Sequence, residues 1–229
     1  MVTNYTPESL TNFYNAIDSR YPNPDDVLVI FDIGSLHCLE SVEFSKKYKN
    51  AKIFAFEANT ESYKVCLDNT KNIENIIVIN KCVNNYDGEC TFYPINPEKT
   101  ITIWFDGNRG ASSLFKSNGA ADHIEKYVQD EVKMPCLKLE TFCLENNINK
   151  IDAIWMDLQG AELLALKGLE DFLNTIEVIQ TELEINPMYE NQCLYKDVDL
   201  YLINKNFELI NGNTNTTFGS NFVYVKKNI

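Results

Sequence analysis

The chain is poor in several things, and each shortage removes a class of function. Basic residues number 20 against 33 acidic, a formal net charge of −13. Such a surface repels phosphate backbones and anionic lipid, so neither nucleic acid nor a membrane is expected as a partner. No apolar run approaches the roughly 18 residues that a membrane-crossing helix needs. The first 26 residues carry one basic residue, Arg20, and no long apolar core. No signal peptide is read there, and a cytoplasmic location is expected. The seven cysteines are odd in number and never spaced C-x-x-C, which indicates neither a disulfide framework nor a zinc knuckle. Reduced thiols, several in apolar strand-like runs, are the simplest reading. There are two histidines, His37 and His123, without metal-ligand spacing, so no metal is expected. Repeats, low-complexity blocks and Pro/Gly linkers are also missing.

What is present is an ordinary globular composition. The 229 residues are 45% hydrophobic, with 13 Phe and 12 Tyr, enough for one domain with a substantial core. Thr6 before Pro7 starts a helix, because proline at the first helical position gives up an N–H that would be unpaired anyway. Pro22-Asn23-Pro24 ends it, so residues 1–26 read as an N-terminal helical extension. Beyond it, apolar runs of strand length alternate with helical patterns. Strands are read at 27–32, 51–57, 75–80, 132–139, 151–157 and 176–184, and helices at 39–48, 60–70, 141–147, 161–173 and 196–206. Continuous apolar strands that alternate with helices predict a mostly parallel sheet covered on both faces. "FELIN" and "FVYVKK" predict a closing antiparallel hairpin. Asp87-Gly88 is a hairpin signal before an alternating strand at 89–95. Residues 96–131 form an irregular stretch, and connections that long are usually functional.

The chemistry gathers at strand ends. In an open α/β sheet, ligands bind outside the carboxyl ends of the strands, and Asp32, Glu57 and Asp157 all end apolar runs. Glu57 falls about 25 residues past Asp32; a carboxylate about 20 residues past the first turn suits a ribose diol, because it accepts two hydroxyl hydrogens at once. The loop after the first strand, "DIGSLHC", keeps a single glycine, Gly34. A nicotinamide site needs G-x-G-x-x-G so that backbone can approach a pyrophosphate. One glycine instead fits a nucleoside without a phosphate bridge, and Gly34 is expected to let the backbone come close to it.

Three stretches, "FDIGSLHCLESVEFSKKYKNAKIFAFEANTES", "GASSLFKS" and "IDAIWMDLQGAELLALKGL", together resemble the FkbM family of S-adenosylmethionine-dependent methyltransferases. The resemblance runs from about residue 27 to the end and is most specific at "WMDLQGAELLALKG". It implies an α/β fold of the class I methyltransferase (Rossmann-like) kind, with a seven-stranded mostly parallel sheet, helices on both faces and a C-terminal antiparallel hairpin. Residues 27–229 would be the methyltransferase domain, with 96–131 as an active-site insertion. It also implies S-adenosylmethionine as cofactor, S-adenosylhomocysteine as product, and O-methylation of a sugar or similar hydroxyl. Cofactor contacts would come from Asp32, Gly34, Ser35, Glu57, Ala58, Ser112, Ser113 and Asp157. Cys38 stands where the family pattern has its last glycine. Catalysis would rest on Asp157, with His123 as rival base. Gln159, Glu162, Glu182 and Glu184 would line the acceptor crevice. The alternatives are an amine or other small-metabolite acceptor, or a nucleoside-binding module without turnover.

Overall fold

A computed structural model describes residues 8–227; the expected helix start at Thr6 and Pro7 lies outside them. Three short runs, β1 (Val29–Ile33), β2 (Lys52–Phe56) and β7 (Ala153–Met156), are buried on both faces, as their unbroken apolar sequence requires. With β3 (Ile76–Ile79), β8 (Val178–Glu184), β9 (Phe207–Asn211) and β10 (Gly219–Lys226) they form a seven-stranded sheet in the order β3-β2-β1-β7-β8-β10-β9. β10 enters between β8 and β9 and runs antiparallel to both. The sheet is therefore parallel apart from one strand, and the expected terminal hairpin is present.

Side-chain alternation along the strands sorts the core into two layers. Phe31, Ile33, Phe54 and Phe56 point to one side, where α4 (Leu139–Glu145), α5 (Glu162–Lys167) and α6 (Tyr195–Asn204) cover them. Ile30, Ile53 and Ala55 point to the other, under α1 (Glu8–Arg20), α2 (Leu39–Lys47) and α3 (Thr60–Thr70). α1 is more than an extension. Its Phe13 packs with ring centroids 5.3 Å from both Phe44 and Trp155, so the described part of 1–26 belongs to the domain core. Glu8 in its first turn and Arg20 in its last complement the helix dipole.

The structure differs from the sequence reading in three places. The strands near 89–95 and 132–139 leave the main sheet. β4 (Cys82–Asn84), β5 (Gly88–Phe92) and β6 (Val132–Lys138) form a separate three-stranded sheet in the order β4-β6-β5. Asp87-Gly88 does turn the chain, but β6 slots between the two arms, so they never pair as a hairpin. Asp87 is used elsewhere: its carboxylate accepts from Lys138 N–H and the Thr141 hydroxyl, both at 2.7 Å, and so anchors the start of α4. The helix expected over 161–173 is broken, because Glu170 adopts φ 48° and the chain continues as a 3-10 stretch, Glu170–Thr175. All seven cysteines are free thiols, six of them buried. No helix among the described residues is long and apolar enough to cross a membrane.

Candidate active site

The ends of β1, β2 and β7 are drawn together by backbone contacts. Gly34 N–H donates to the Phe56 carbonyl at 2.9 Å, and Asp157 N–H donates to the Ile33 carbonyl at 2.9 Å. Gly34 has φ +85°, and a Cβ there would stand 1.8 Å from the Asp157 carbonyl oxygen. The glycine is needed, but the group it must approach is the backbone of β7. The loop then continues through two non-glycine residues in the left-handed region, Leu36 at φ 48° and Cys38 at φ 56°. Cys38, where the family pattern has glycine, adopts the glycine conformation regardless.

Glu57 holds this loop in shape. Its carboxylate accepts from Leu36 N–H at 2.7 Å and from Asn59 N–H at 2.6 Å. Two of about four lone-pair sites are thereby used, one on each oxygen, and the others remain for a ligand. Burial pushes its pKa up to about 8, against the lowering effect of the two N–H donors. The Asn59 side chain caps α3 by accepting from Glu61 N–H at 3.0 Å.

Two cavities meet here. A cleft of about 600 Å³ with its open mouth is lined by Gly34, Glu57, Ala58, Cys82, Val83 and Leu158, with Lys81 and Arg109 as its cations. A larger cavity, about 1700 Å³ with its open mouth, is lined by His37, Trp104, Tyr127, Gln159, Glu182 and Glu184 among others. Leu36, Gly110 and Asp157 border both. The roof is the 96–131 segment, folded back on itself by paired hydrogen bonds between Ile101 and Lys126 at 3.0 and 2.9 Å. Ser112 and Ser113 tie it down. Ser112 Oγ accepts from Asn59 Nδ2 at 3.2 Å, and Ser113 Oγ donates to the Gln159 carbonyl at 2.8 Å.

Around Asp157 the carboxylates crowd. Gln159 Nε2 donates to Asp157 Oδ1 at 2.8 Å and accepts at Oε1 from the Tyr189 hydroxyl at 2.8 Å. Glu182 is hydrogen-bonded to Asp157, and the Asp157 charge, with burial, lifts Glu182 to about 8. Burial raises Asp157 as well. Two carboxylates in contact cannot both ionise cheaply, so the pair holds a proton near neutrality. Glu184, 6% exposed, has one oxygen with no hydrogen-bond partner, and burial pushes it up to about 9. Among the described residues, no group of three or more His, Cys, Asp or Glu side chains is placed to hold a metal ion.

Residues 33–209 match the methyltransferase FkbM domain. The chain belongs to that family. It is 25% identical over 186 residues to a 2-O-methyltransferase, NoeI, of Sinorhizobium fredii, covering 81% of this chain and 74% of that protein. It is 24% identical to Methyltransferase 1 of Beauveria bassiana, covering 68% of this chain and 64% of the relative. Solved structures agree in fold. The fibrillarin pre-rRNA processing protein of Methanococcus jannaschii has a TM-score of 0.51 at 11% identity, over 89% of this chain and 68% of that one. An rRNA methylase of Streptococcus thermophilus scores 0.50 at 13% identity, over 97% and 98%. With the strand order above, these establish the class I methyltransferase fold.

The residues expected to act divide into those that reach the two FkbM cavities and those that do not. Gly34, Glu57, Ala58, Ser112, Ser113 and Asp157 line the smaller cleft, and Gln159, Glu182 and Glu184 line the larger. Asp32 lines neither. It is 1% exposed and turned to the α2 side, where its carboxylate accepts from the Ser41 hydroxyl. Period-two alternation forces this, since Ile33 faces the opposite layer. Ser35, 2% exposed, donates to the Asp32 carbonyl at 2.9 Å. Glu162 is fully buried and clamps the loop before α5, accepting from Leu158 and Gly160 N–H at 2.8 and 3.2 Å; it does not face the acceptor cavity. His123 is exposed, with its ring 6.1 Å from Phe218, and lines neither cavity. His37 lines the larger one instead, and burial lowers its pKa. Sequence reasoning missed Tyr189, Lys81 and Arg109. Tyr189 lies in a loop without periodicity. Arg109 did carry a signal, as one of two arginines in the chain and inside the irregular stretch.

Proposed function

We propose that this chain is an S-adenosylmethionine-dependent O-methyltransferase whose acceptor is a hydroxyl of a saccharide. The observation that carries the reading is that Asp157 borders both cavities, so a donor in one and an acceptor in the other would meet at its carboxylate. The smaller cleft suits the cofactor. It offers the unused lone pairs of Glu57 for ribose hydroxyls, apolar walls at Val83 and Leu158 for a purine, and the Arg109 guanidinium for a carboxylate. The bound cofactor supplies an electrophilic methyl group on sulfur.

The remaining work falls to the chain. Trp104 and Tyr127 give the larger cavity aromatic surface, and Gln159, Glu182 and Glu184 give it hydrogen-bonding groups, the mixture that orients a polyol. Burial raises Asp157, against the lowering effect of its hydrogen bonds to Gln159 and Glu182, so its ionised carboxylate is a stronger base than a free one and is placed to take the hydroxyl proton. The similarity to a protein named as a 2-O-methyltransferase supports a hydroxyl acceptor. A second reading, an amine acceptor, is favoured by one feature: no Lys or Arg lines the acceptor cavity, while Asp157, Glu182 and Glu184 do.

The test is transfer of isotopically labelled methyl from S-adenosylmethionine to a panel of saccharides and of amines, read by mass spectrometry. Label on a saccharide oxygen, lost in Asp157→Asn, is the expected result. Label on amines alone would replace the acceptor. No calorimetric binding of S-adenosylhomocysteine would overturn the reading as a whole.

A further inference from the structure

The acceptor cavity is polar at its base and apolar at its mouth. Asp157, Gln159, Glu182 and Glu184 lie at the base, on the strand ends and the loop between them. Leu39, Trp104, Phe105 and Ile124 line the same cavity, and all four are exposed large apolar side chains. Phe105 itself is 98% exposed, and its neighbour Ile103, outside the cavity lining, is 92% exposed. Single exposed apolar residues need no explanation, but a cluster rimming a ligand cavity does. They come from separate parts of the chain, the start of α2 and both arms of the roof, so the cluster is made by the fold and not by one greasy loop. Leaving these side chains in water is unfavourable unless something covers them during the working cycle.

The volume points the same way. At about 800 Å³ without its open mouth, the cavity lies toward the upper end of the roughly 300–1000 Å³ typical of small-molecule pockets. A single sugar ring would leave the rim uncovered. An anionic bilayer is a poor cover, because the chain carries a net charge of −13.

We propose that the acceptor is an amphiphilic glycoside: a saccharide head that enters the polar base, joined to an apolar chain that lies across Leu39, Trp104, Phe105 and Ile124. This rests on the methyltransferase reading for what happens at the head, but the apolar subsite is testable by binding alone. Its occupant is the substrate's own aglycone, argued from the continuity of the apolar rim with the polar base in one cavity.

The experiment uses matched pairs of methyl and octyl glycosides of several common hexoses, kept below the micelle threshold. Binding is followed by tryptophan emission and by calorimetry. Trp104 is exposed and Trp155 is buried, so a Trp104→Phe variant identifies the reporting ring. The octyl member of each pair should bind roughly tenfold or more tightly, since each buried methylene adds to the apolar transfer term, and should shift Trp104 emission to the blue. The double variant Phe105→Ser, Ile124→Ser should lose most of that octyl advantage while keeping parental S-adenosylhomocysteine affinity. Equal binding of methyl and octyl members across the panel would overturn the proposal. So would an octyl advantage undiminished in the double variant. A wild-type dimer that the double variant makes monomeric, without any octyl preference, would assign the patch to a second copy of the chain instead. Calorimetry with S-adenosylhomocysteine on the same samples separates these outcomes from failure of the methyltransferase reading.

Discussion

Replacing Gly34 by alanine should cost far more than one methyl group usually does. The new Cβ would stand 1.8 Å from the Asp157 carbonyl oxygen and 2.8 Å from its carbon, and the nearest neighbour is backbone with no rotamer to yield. Asp157 N–H is itself bonded to the Ile33 carbonyl at 2.9 Å, and Gly34 N–H to Phe56 at 2.9 Å. Relief therefore means parting β1 from β7 or breaking the hold of β1 on β2. The φ of +85° adds a left-handed penalty of about 1–2 kcal/mol for a residue with a Cβ. Together these place the loss at about 3–5 kcal/mol, in the range of the most damaging single substitutions. Gly88→Ala is the control. Its φ is also positive, +134°, but nothing lies within 4 Å of the new Cβ, so only the conformational cost remains. Urea unfolding of both variants, with S-adenosylhomocysteine calorimetry on whatever stays folded, measures the difference. A Gly34→Ala protein no less stable than Gly88→Ala would refute the argument that backbone contact with β7 is what demands glycine.

Glu57→Gln should destabilise the free protein by about 1–3 kcal/mol, because the amide offers one acceptor oxygen where two N–H groups now find one each; unchanged stability and cofactor affinity together would sink the role given to Glu57. Cys38→Gly should be close to neutral in urea unfolding, since relief of about 1 kcal/mol of left-handed strain offsets the lost burial of a small side chain; a large destabilisation would show the thiol's packing to be decisive. His123→Ala should leave methyl transfer near parental, in contrast to Asp157→Asn, because His123 lines neither cavity. Stability should fall as pH rises from about 5 to about 9. The buried acids Asp32, Glu57 and Glu184 are raised to about 7, 8 and 9, chiefly by burial. The folded state therefore binds more protons than the unfolded one across that window, and the slope of stability with pH is negative. Thermal melts across that range that stay flat or rise would contradict it.

The sequence by itself determined the order of elements and the depth of the sheet. Those follow from local pattern: unbroken apolar runs of strand length, helical periodicity between them, and an acid at the end of "AKIFAFE" and of "IDAIWMD". Strand ends are legible because position in the run sets position in the sheet, and so Glu57 and Asp157 were found. Tertiary structure decided which acids work together. Asp32 ends its run as Asp157 does, yet it points into the helix layer toward Ser41. Glu162 is spent holding a loop, and Glu182 owes its raised pKa first to the charge of Asp157, a strand away, and then to burial. The two histidines also differ in place: His37, in the loop after β1, lines the larger cavity, and His123, in the roof segment, lines neither. Periodicity records which face a residue takes within its own element. The meeting of groups carried on β7, β8 and a roof segment far apart in the chain is set by long-range pairing and packing, which no local pattern encodes.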